Sequence, residues 1–164
     1  MRKYFFLIAV IVVLLDRLAK WSVATFIPQH NSVTVIPGFF HITHVENPGA
    51  AFGLFAESSA PWKIGALVGF SLIALLIVSA LLWKNSHIMN TTTIGLSLIL
   101  GGATGNLWDR VVDGRVVDFL HFYIGNYSWP DFNVADSAIV VGAILLVSEI
   151  LFAKSSHEAV KSSS

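Results

Sequence analysis

The chain of 164 residues has no cysteine, and only 12% of its residues are charged. Without cysteine, thiolate catalysis, disulfides and cysteine-ligated metals are excluded, so any nucleophile is an oxygen group or water. The chain has 10 basic and 10 acidic side chains, and this balance offers no excess charge to attract nucleic acid. By contrast, 55% of the residues are hydrophobic. Together with a mean hydropathy of +0.73, this composition indicates a protein that folds in lipid.

The signatures of serine and zinc peptidases are also missing. The sequence contains no Ser-x-x-Lys, Gly-x-Ser-x-Gly or His-Glu-x-x-His pattern, so those two peptidase classes have no support. His41 and His44 are three positions apart on a predicted strand, where their side chains would point to opposite faces. We therefore expect no metal site and no cofactor.

Four apolar segments dominate the chain. They cover about residues 4–27, 62–83, 88–108 and 136–153, each close to the roughly 20 residues that span a bilayer. The sequence predicts a mainly α membrane protein with four transmembrane helices in a single domain, residues 1–164, ending in a frayed polar tail over 155–164. The first segment has an alternative interpretation as a cleaved signal peptide, but the charged residues from Asp16 to Lys20 interrupt the region where cleavage would occur.

The charges that flank the segments indicate an orientation. Four spans leave two outer loops, about 28–61 and 109–135, and five of the ten lysines and arginines fall on each side of the membrane. The count is therefore uninformative, but Arg2 and Lys3 precede the first helix, which usually dominates. We expect both termini in the cytoplasm and both loops on the outer face.

The outer loops carry strand patterns. Residues 33–36 and 39–45 flank Pro37-Gly38, and residues 111–112 and 115–117 flank Asp113-Gly114. Both dipeptides suit turns between antiparallel strands. The sequence predicts two β-hairpins forming a small sheet on the outer membrane face.

Two aspartates in the second outer region could act together. Asp118 lies between Val-Val and Phe-Leu, where an unpaired charge would be costly. Asp136 starts the fourth apolar segment, and its alternative role is helix capping with Asn133. If the two carboxyls meet, one would be ionised and the other neutral, giving a general base and a general acid for attack by water.

Other polar residues allow both structural and functional interpretations. Asp16 and Lys20 are four apart on a predicted helix and can form a brace. Small residues from Gly101 lead to Asn106, Asp109 and Arg110, which indicates either a packing face with interfacial charges or a polar pocket. The segment from Asn47 to Phe52 is either an ordinary turn or a place for a substrate backbone.

Taken in order, these segments resemble the motif series of the lipoprotein signal peptidases, or signal peptidase II. The series comprises Asp16 with Lys20, Asn47–Phe52, Gly101–Arg110, Val116–Phe119 and Phe132–Ser137. It covers nearly the whole chain, and five ordered motifs are far more specific than any one of them.

The resemblance implies that Asp118 and Asp136 are the catalytic pair of an aspartic endopeptidase. It implies that the residues shaping the site and holding substrate are Asp16, Lys20, Asn47, Gly49, Asn106, Asp109, Arg110, Asn133 and Ala135. The implied substrate is a prolipoprotein with a diacylglyceryl-modified cysteine, cleaved on the N-terminal side of that residue. The family also implies a bacterial cytoplasmic membrane enzyme in contact with lipid, inhibition by globomycin-type peptides, and a monomer.

Two other functional classes remain open at this level. A transporter or proton-relay subunit would distribute its titratable groups through the depth of the membrane, whereas here they cluster towards one face. A scaffold protein would keep its function when Asp118 is replaced by asparagine.

Overall fold

The computed structural model describes residues 2–49, 62–85, 87 and 89–162. The helices are α1 (Arg2–Phe26), α2 (Lys63–Asn85), α3 (Thr91–Val112) and α4 (Val134–Ser162). The strands are β1 (Ser32–Ile36), β2 (Phe40–Asn47), β3 (Val116–Ile124) and β4 (Tyr127–Ser128). The structure describes the predicted motif Asn47–Phe52 only as far as Gly49, and positions 50–52 of this motif lie outside the described residues.

Helix α3 is the centre of the helical bundle and packs against the other three helices. Its glycines permit this because a Cβ atom at Gly101 would lie 2.7 Å from the Ala9 carbonyl oxygen, and one at Gly102 would lie 2.3 Å from that of Ala135. The backbones of α1 and α4 therefore approach α3 directly. This close approach brings polar groups from three helices to one end of the bundle.

The outward surfaces of the helices are apolar. In α2, Phe70 is 74% exposed and Leu76 is 71% exposed, as expected for side chains that face hydrocarbon. A smaller core of Phe5, Leu82 and Leu96 joins α1, α2 and α3. The bundle thus presents its apolar side chains to its surroundings and its small and polar ones to its interior.

Two of the described helices, Lys63–Asn85 and Val134–Leu151, are long and apolar enough to cross a membrane. The charges Asp16, Arg17 and Lys20 interrupt the apolar run of α1, and glycine and threonine lower the hydropathy of α3. The predicted four-span count therefore stays a prediction. Helix α3 begins at Thr91 rather than 88 because Asn90 caps it, accepting a 2.9 Å hydrogen bond from the Thr93 amide.

The sheet is antiparallel with the order β1-β2-β3-β4. The predicted turn at Pro37-Gly38 is confirmed, since the Phe39 amide donates to the Ile36 carbonyl at 3.1 Å and Gly38 has φ +76°. Val23 of α1 and Ile27, which follows this helix, pack with Phe119 beneath the sheet. This contact fixes β3 against the end of the bundle.

The predicted second hairpin is wrong. Val111 and Val112 are the last residues of α3, Asp113 is its C-cap, and Gly114 follows with φ +70°. Asp-Gly suits a helix end as well as a hairpin, because glycine adopts the left-handed conformation that terminates helices. Strand β3 begins only at Val116 and pairs with β2 instead.

Helix α4 continues to Ser162, so the polar tail predicted over 155–164 begins within this helix, and its fraying stays a prediction. No glycine or proline follows Gly142, so the sequence contains no residue there that breaks a helix.

Candidate functional site

Asp136 lies in the first turn of α4, where it takes part in helix capping and in a site. Its backbone amide donates to the Asn133 side-chain oxygen at 2.9 Å, and its Oδ2 accepts from the Asn133 amide at 3.3 Å. The capping alternative is thus present. The other carboxylate oxygen, Oδ1, takes no part in this capping and accepts a hydrogen bond from Asn106 Nδ2 at 2.8 Å.

Asp118 lies within β3 and is 3% exposed. Asn47 Nδ2, at the end of β2, donates to its Oδ2 at 2.9 Å, and Asn133 Nδ2 donates to its Oδ1 at 2.7 Å. Asn133 Nδ2 also lies 3.3 Å from Asn106 Oδ1. A continuous chain of side chains therefore runs from Asp118 through Asn133 and Asn106 to Asp136.

The pKa of Asp118 is raised to about 7, chiefly by burial, and the negative charge of Asp136 contributes in the same direction. Hydrogen bonds from Asn47 and Asn133 and the positive charge of Lys20 act in the opposite direction. The effect of Asp136 on this pKa reflects the proximity of the two carboxyls. Near neutral pH, Asp118 can therefore exchange a proton readily.

Beneath the two aspartates lies a buried charged layer. Lys20 Nζ donates to Asp16 at 2.7 Å, to Asp109 at 2.6 Å and to the side-chain oxygen of Asn106 at 3.1 Å. The predicted Asp16–Lys20 pair is therefore present, with exposures of 0% and 3%. It is more than a local brace, because Asp16 also accepts from the Ala135 amide at 2.9 Å and so joins α1 to α4.

Arg110 connects α3 to the turn after β2. One guanidinium nitrogen donates to the Asn106 carbonyl and another to the Gly49 carbonyl, both at 3.1 Å. The Gly49 amide in turn donates to Asn47 Oδ1 at 2.8 Å. Arg110 thereby holds the turn that supplies Asn47 to Asp118.

All the predicted site residues lie in this one hydrogen-bonded assembly. They are Asp16, Lys20, Asn47, Gly49, Asn106, Asp109, Arg110, Asp118, Asn133, Ala135 and Asp136. His41 and His44 lie elsewhere and bond to separate partners, the Tyr123 hydroxyl and the Ile27 carbonyl.

Sequence reasoning missed Arg17 and Gly105. Arg17 pairs with Asp109, and its only sequence signal was its position among the charges that interrupt α1. A Cβ at Gly105 would lie 2.9 Å from Asp16 Oδ2, so only glycine leaves room for that carboxylate. Its signal was its place in the small-residue run of α3.

An apolar cavity of about 400 Å³ opens beside Asp136. Its lining consists of Trp129, Phe132, Asp136, Ser137, Ile139, Val140 and Val141. The carboxyl thus lies at the border between a polar interior and a surface suited to apolar groups.

Comparison with known proteins identifies the family. The profile described as "Signal peptidase (SPase) II" matches residues 8–152. The lipoprotein signal peptidase of Solibacter usitatus is 45% identical over 144 residues, covering 88% of each chain. That of Desulforapulum autotrophicum is 46% identical over 152 residues, covering 90% of this chain and 91% of the relative.

The fold is also similar to solved structures. A bacterial membrane enzyme determined by the in meso method at 2.3 Å resolution aligns with a TM-score of 0.83 and 34% identity, covering 94% of this chain and 91% of that one. A second, at 1.9 Å resolution, aligns with a TM-score of 0.81. The chain is a membrane protease that belongs to the signal peptidase II family.

Proposed function

We propose that this chain is an aspartic endopeptidase that removes signal peptides from diacylglyceryl-modified prolipoproteins, with Asp118 and Asp136 as its catalytic residues. The observation that carries this proposal is the pair of carboxyls joined through Asn133 and Asn106. Removal of signal peptides follows from membership of the family. The aspartic mechanism rests on the pair itself.

Two carboxyls in this environment can share one proton. The ionised member accepts a proton from a water molecule, whose oxygen attacks the scissile carbonyl carbon. The neutral member donates a proton to the carbonyl oxygen, which gives a neutral tetrahedral intermediate. The intermediate then collapses: the newly protonated carboxyl donates its proton to the departing nitrogen, the ionised carboxylate takes a proton from a hydroxyl of the intermediate, and the carbon–nitrogen bond breaks. The pair returns to its singly protonated state.

The surrounding contacts support each step. Asn47 and Asn133 each donate to Asp118, and these fixed donors orient the carboxyl without supplying a net charge. Arg110 holds the turn that contains Asn47 and Gly49, which leaves that turn in position to meet an extended substrate backbone. Asp16, Lys20 and Asp109 act as positioning residues beneath the pair.

The substrate proposed here carries a lipid on the residue after the cleaved bond, and cleavage falls on the N-terminal side of that cysteine. The apolar cavity beside Asp136 supports this choice, because an apolar group of the substrate can lie there while the peptide bond reaches the carboxyls. A globomycin-type peptide would compete for the same place.

We further propose four membrane-spanning helices, both termini in the cytoplasm and a monomer in the bacterial cytoplasmic membrane. The apolar outer surface of α2 and the enclosed position of α3 favour this arrangement. In this orientation the sheet and the aspartate pair face outward.

The outer loops are proposed to cover the site and exclude bulk water. The Pro37-Gly38 turn lies at one end of β2 and Asn47 at the other, about 23 Å apart along the strand. Shortening the hairpin at this turn should lower turnover while membrane insertion is retained. Unchanged turnover would count against the covering role.

The test of function is cleavage of a diacylglyceryl-modified prolipoprotein peptide by the detergent-purified protein. The native chain should cleave before the lipidated cysteine, and Asp118→Asn and Asp136→Asn should each lose at least about a thousandfold in turnover. Asp131→Asn is the matched control, because Asp131 bonds to Thr43 and His121 on the sheet. Normal turnover in either site variant, with the fold verified, would refute the catalytic pair.

A further inference from the structure

A second cavity, of about 390 Å³, borders the buried charged layer at Lys20 and Asp109, and neither Asp118 nor Asp136 lines it. Its lining consists of Arg17, Lys20, Trp21, Ala24, His44, Glu46, Asp109, Asp113, Arg115 and Val117. The lining has three carboxylates and three side chains of fixed positive charge, so it is charged but close to neutral in total. It therefore suits a polar occupant that carries both signs of charge.

The first indication that the cavity binds a ligand comes from His44. The side chain is 94% buried, since its exposure is 6%. Its Nδ1 lies 2.7 Å from the Ile27 carbonyl oxygen, so Nδ1 carries a hydrogen and Nε2 of the neutral ring is an acceptor. Nε2 is buried and has no hydrogen-bond partner among the described residues. Such an acceptor is costly to leave unsatisfied.

Asp113 provides a second acceptor on the cavity lining. It is exposed at the end of α3, and none of the ion pairs among the described residues involves its carboxylate. Two acceptors on one cavity call for a donor with several hydrogens, and an alkylammonium group provides three.

The cations of the cavity keep spare donors. Arg115 pairs with Glu46 through one nitrogen at 2.7 Å, and Arg17 pairs with Asp109 through one nitrogen. A guanidinium has five N–H donors, so both side chains can still bind an anion. Arginine is well matched to phosphate oxygens.

The surface that leads to this cavity is apolar. Leu7, Ile11, Leu14, Leu18 and Trp21 form one stripe on α1 at helical spacing, and they are 47–62% exposed. The stripe is about 21 Å long and ends at Trp21, which itself lines the cavity. Tryptophan is typical of the level where lipid headgroups begin.

We propose that this cavity binds the headgroup of a phospholipid carrying both a phosphate and a primary ammonium, with an acyl chain along the α1 stripe. The phosphate contacts Arg17 and Arg115, and the ammonium contacts Asp113 and the His44 ring. The occupant is a phosphoethanolamine-type lipid rather than an anionic one, because the cavity has unfilled acceptors as well as unfilled donors.

Native mass spectrometry of the detergent-purified full chain tests this proposal. The probes are phosphatidylethanolamine, phosphatidylglycerol and phosphatidylcholine with identical acyl chains, together with soluble O-phosphoethanolamine. The native chain should retain one phosphatidylethanolamine about tenfold more tightly than either other lipid. Preference for phosphatidylglycerol, or equal retention of all three, would overturn the proposal.

Two substitutions test the ammonium contact and the phosphate contact separately. Asp113→Asn should weaken phosphatidylethanolamine about tenfold and leave phosphatidylglycerol unchanged, whereas Arg115→Gln should weaken both. Lys84→Gln, an exposed cation of α2, is the control and should change neither. Retention by both cavity variants equal to that of the native chain would overturn the proposal.

Competition by soluble O-phosphoethanolamine shows whether the ligand is a membrane lipid or a free phosphorylated amine. If O-phosphoethanolamine displaces the lipid only at millimolar concentration, the acyl stripe contributes and the ligand is a membrane lipid. If it binds as tightly as the lipid itself, the lipid assignment is overturned. Binding alone is measured, so failure here leaves the peptidase proposal unaffected.

Discussion

Lys20 and Asp109 are separated by 89 positions in the sequence, yet the ammonium of one lies 2.6 Å from the carboxylate of the other. Both side chains are almost fully buried, at 3% and 2% exposure. The same ammonium bonds to Asp16 and to Asn106. One cation therefore compensates the acidic groups of two helices directly beneath the aspartate pair.

Replacing Lys20 by methionine should be strongly destabilising. The Asp16 carboxylate would stay buried without its only ion-pair partner among the described residues, and breaking such a pair costs about 3–5 kcal/mol. Unfolding of the purified protein in detergent measures the change. Lys84→Met, at an exposed position of α2, is the control and should change stability by less than about 0.5 kcal/mol. Equal effects of the two substitutions would contradict the buried network.

The pKa of Asp118 predicts a dependence of stability on pH. The folded-state pKa is about 7 and the reference value is 3.8, so the folded protein holds a proton that the unfolded chain has already released. The contribution is fully present below pH 4 and is lost as pH rises through 7. By that relation, the loss between pH 4 and pH 8 is roughly 3–4 kcal/mol.

Asp118→Asn lacks this titration and provides the measurement. The unfolding free energy of the variant minus that of the native protein should rise from pH 4 to pH 8, since groups that do not interact with Asp118 cancel in the difference. A difference that stays constant over this range would show that Asp118 has an ordinary pKa in the folded protein.

Asn47 lowers the pKa of Asp118 through its hydrogen bond. Asn47→Leu removes that donor, so the apparent pKa values of the aspartate pair in the pH profile of kcat/KM should move upward. Asn85→Leu is the matched control, because among the described residues the Asn85 side chain bonds only to the Leu81 carbonyl of its own helix. A profile that falls in amplitude without moving would indicate a purely structural role for Asn47.

Gly102 is predicted to tolerate no side chain. Its added Cβ would lie 2.3 Å from the Ala135 carbonyl oxygen, so Gly102→Ala must separate α3 from α4 next to Asp136. Overpacking of this kind costs about 1–3 kcal/mol, and turnover should fall with it. Gly69→Ala is the control, since nothing lies within 4 Å of a Cβ there. Equal stability of the two variants in thermal unfolding would contradict this helix contact.

Much of the fold could be predicted from local patterns. Long apolar runs indicate helices because only helices satisfy their own backbone groups in lipid, and Pro37-Gly38 indicates a turn because glycine adopts positive φ without strain. The same local reasoning failed at Asp113-Gly114, where one dipeptide is compatible with a hairpin and with a helix end. Only the packing of α3 distinguished them.

The sequence predicted which residues form the site but not how they are hydrogen-bonded to one another. The motif series named the residues that hydrogen-bond directly to Asp118 and Asp136, but it did not single out Arg17 or Gly105. It could not say that Asn133 caps α4 and also donates to Asp118, because that double role depends on where β3 lies relative to α4. Arg17 and the second cavity had no separate sequence signal, since their partners come from distant elements.

The sequence by itself determined that this chain folds in lipid, lacks thiol chemistry and carries the residues of a peptidase family, because composition and ordered motifs are properties of the chain alone. The tertiary structure decided which carboxyls are buried, which cation compensates them and which asparagines connect Asp118 to Asp136. Those outcomes depend on distances of about 3 Å between groups that lie up to 119 positions apart. Such distances are set by the close approach of α3 to α1 and α4, which the glycines of α3 permit.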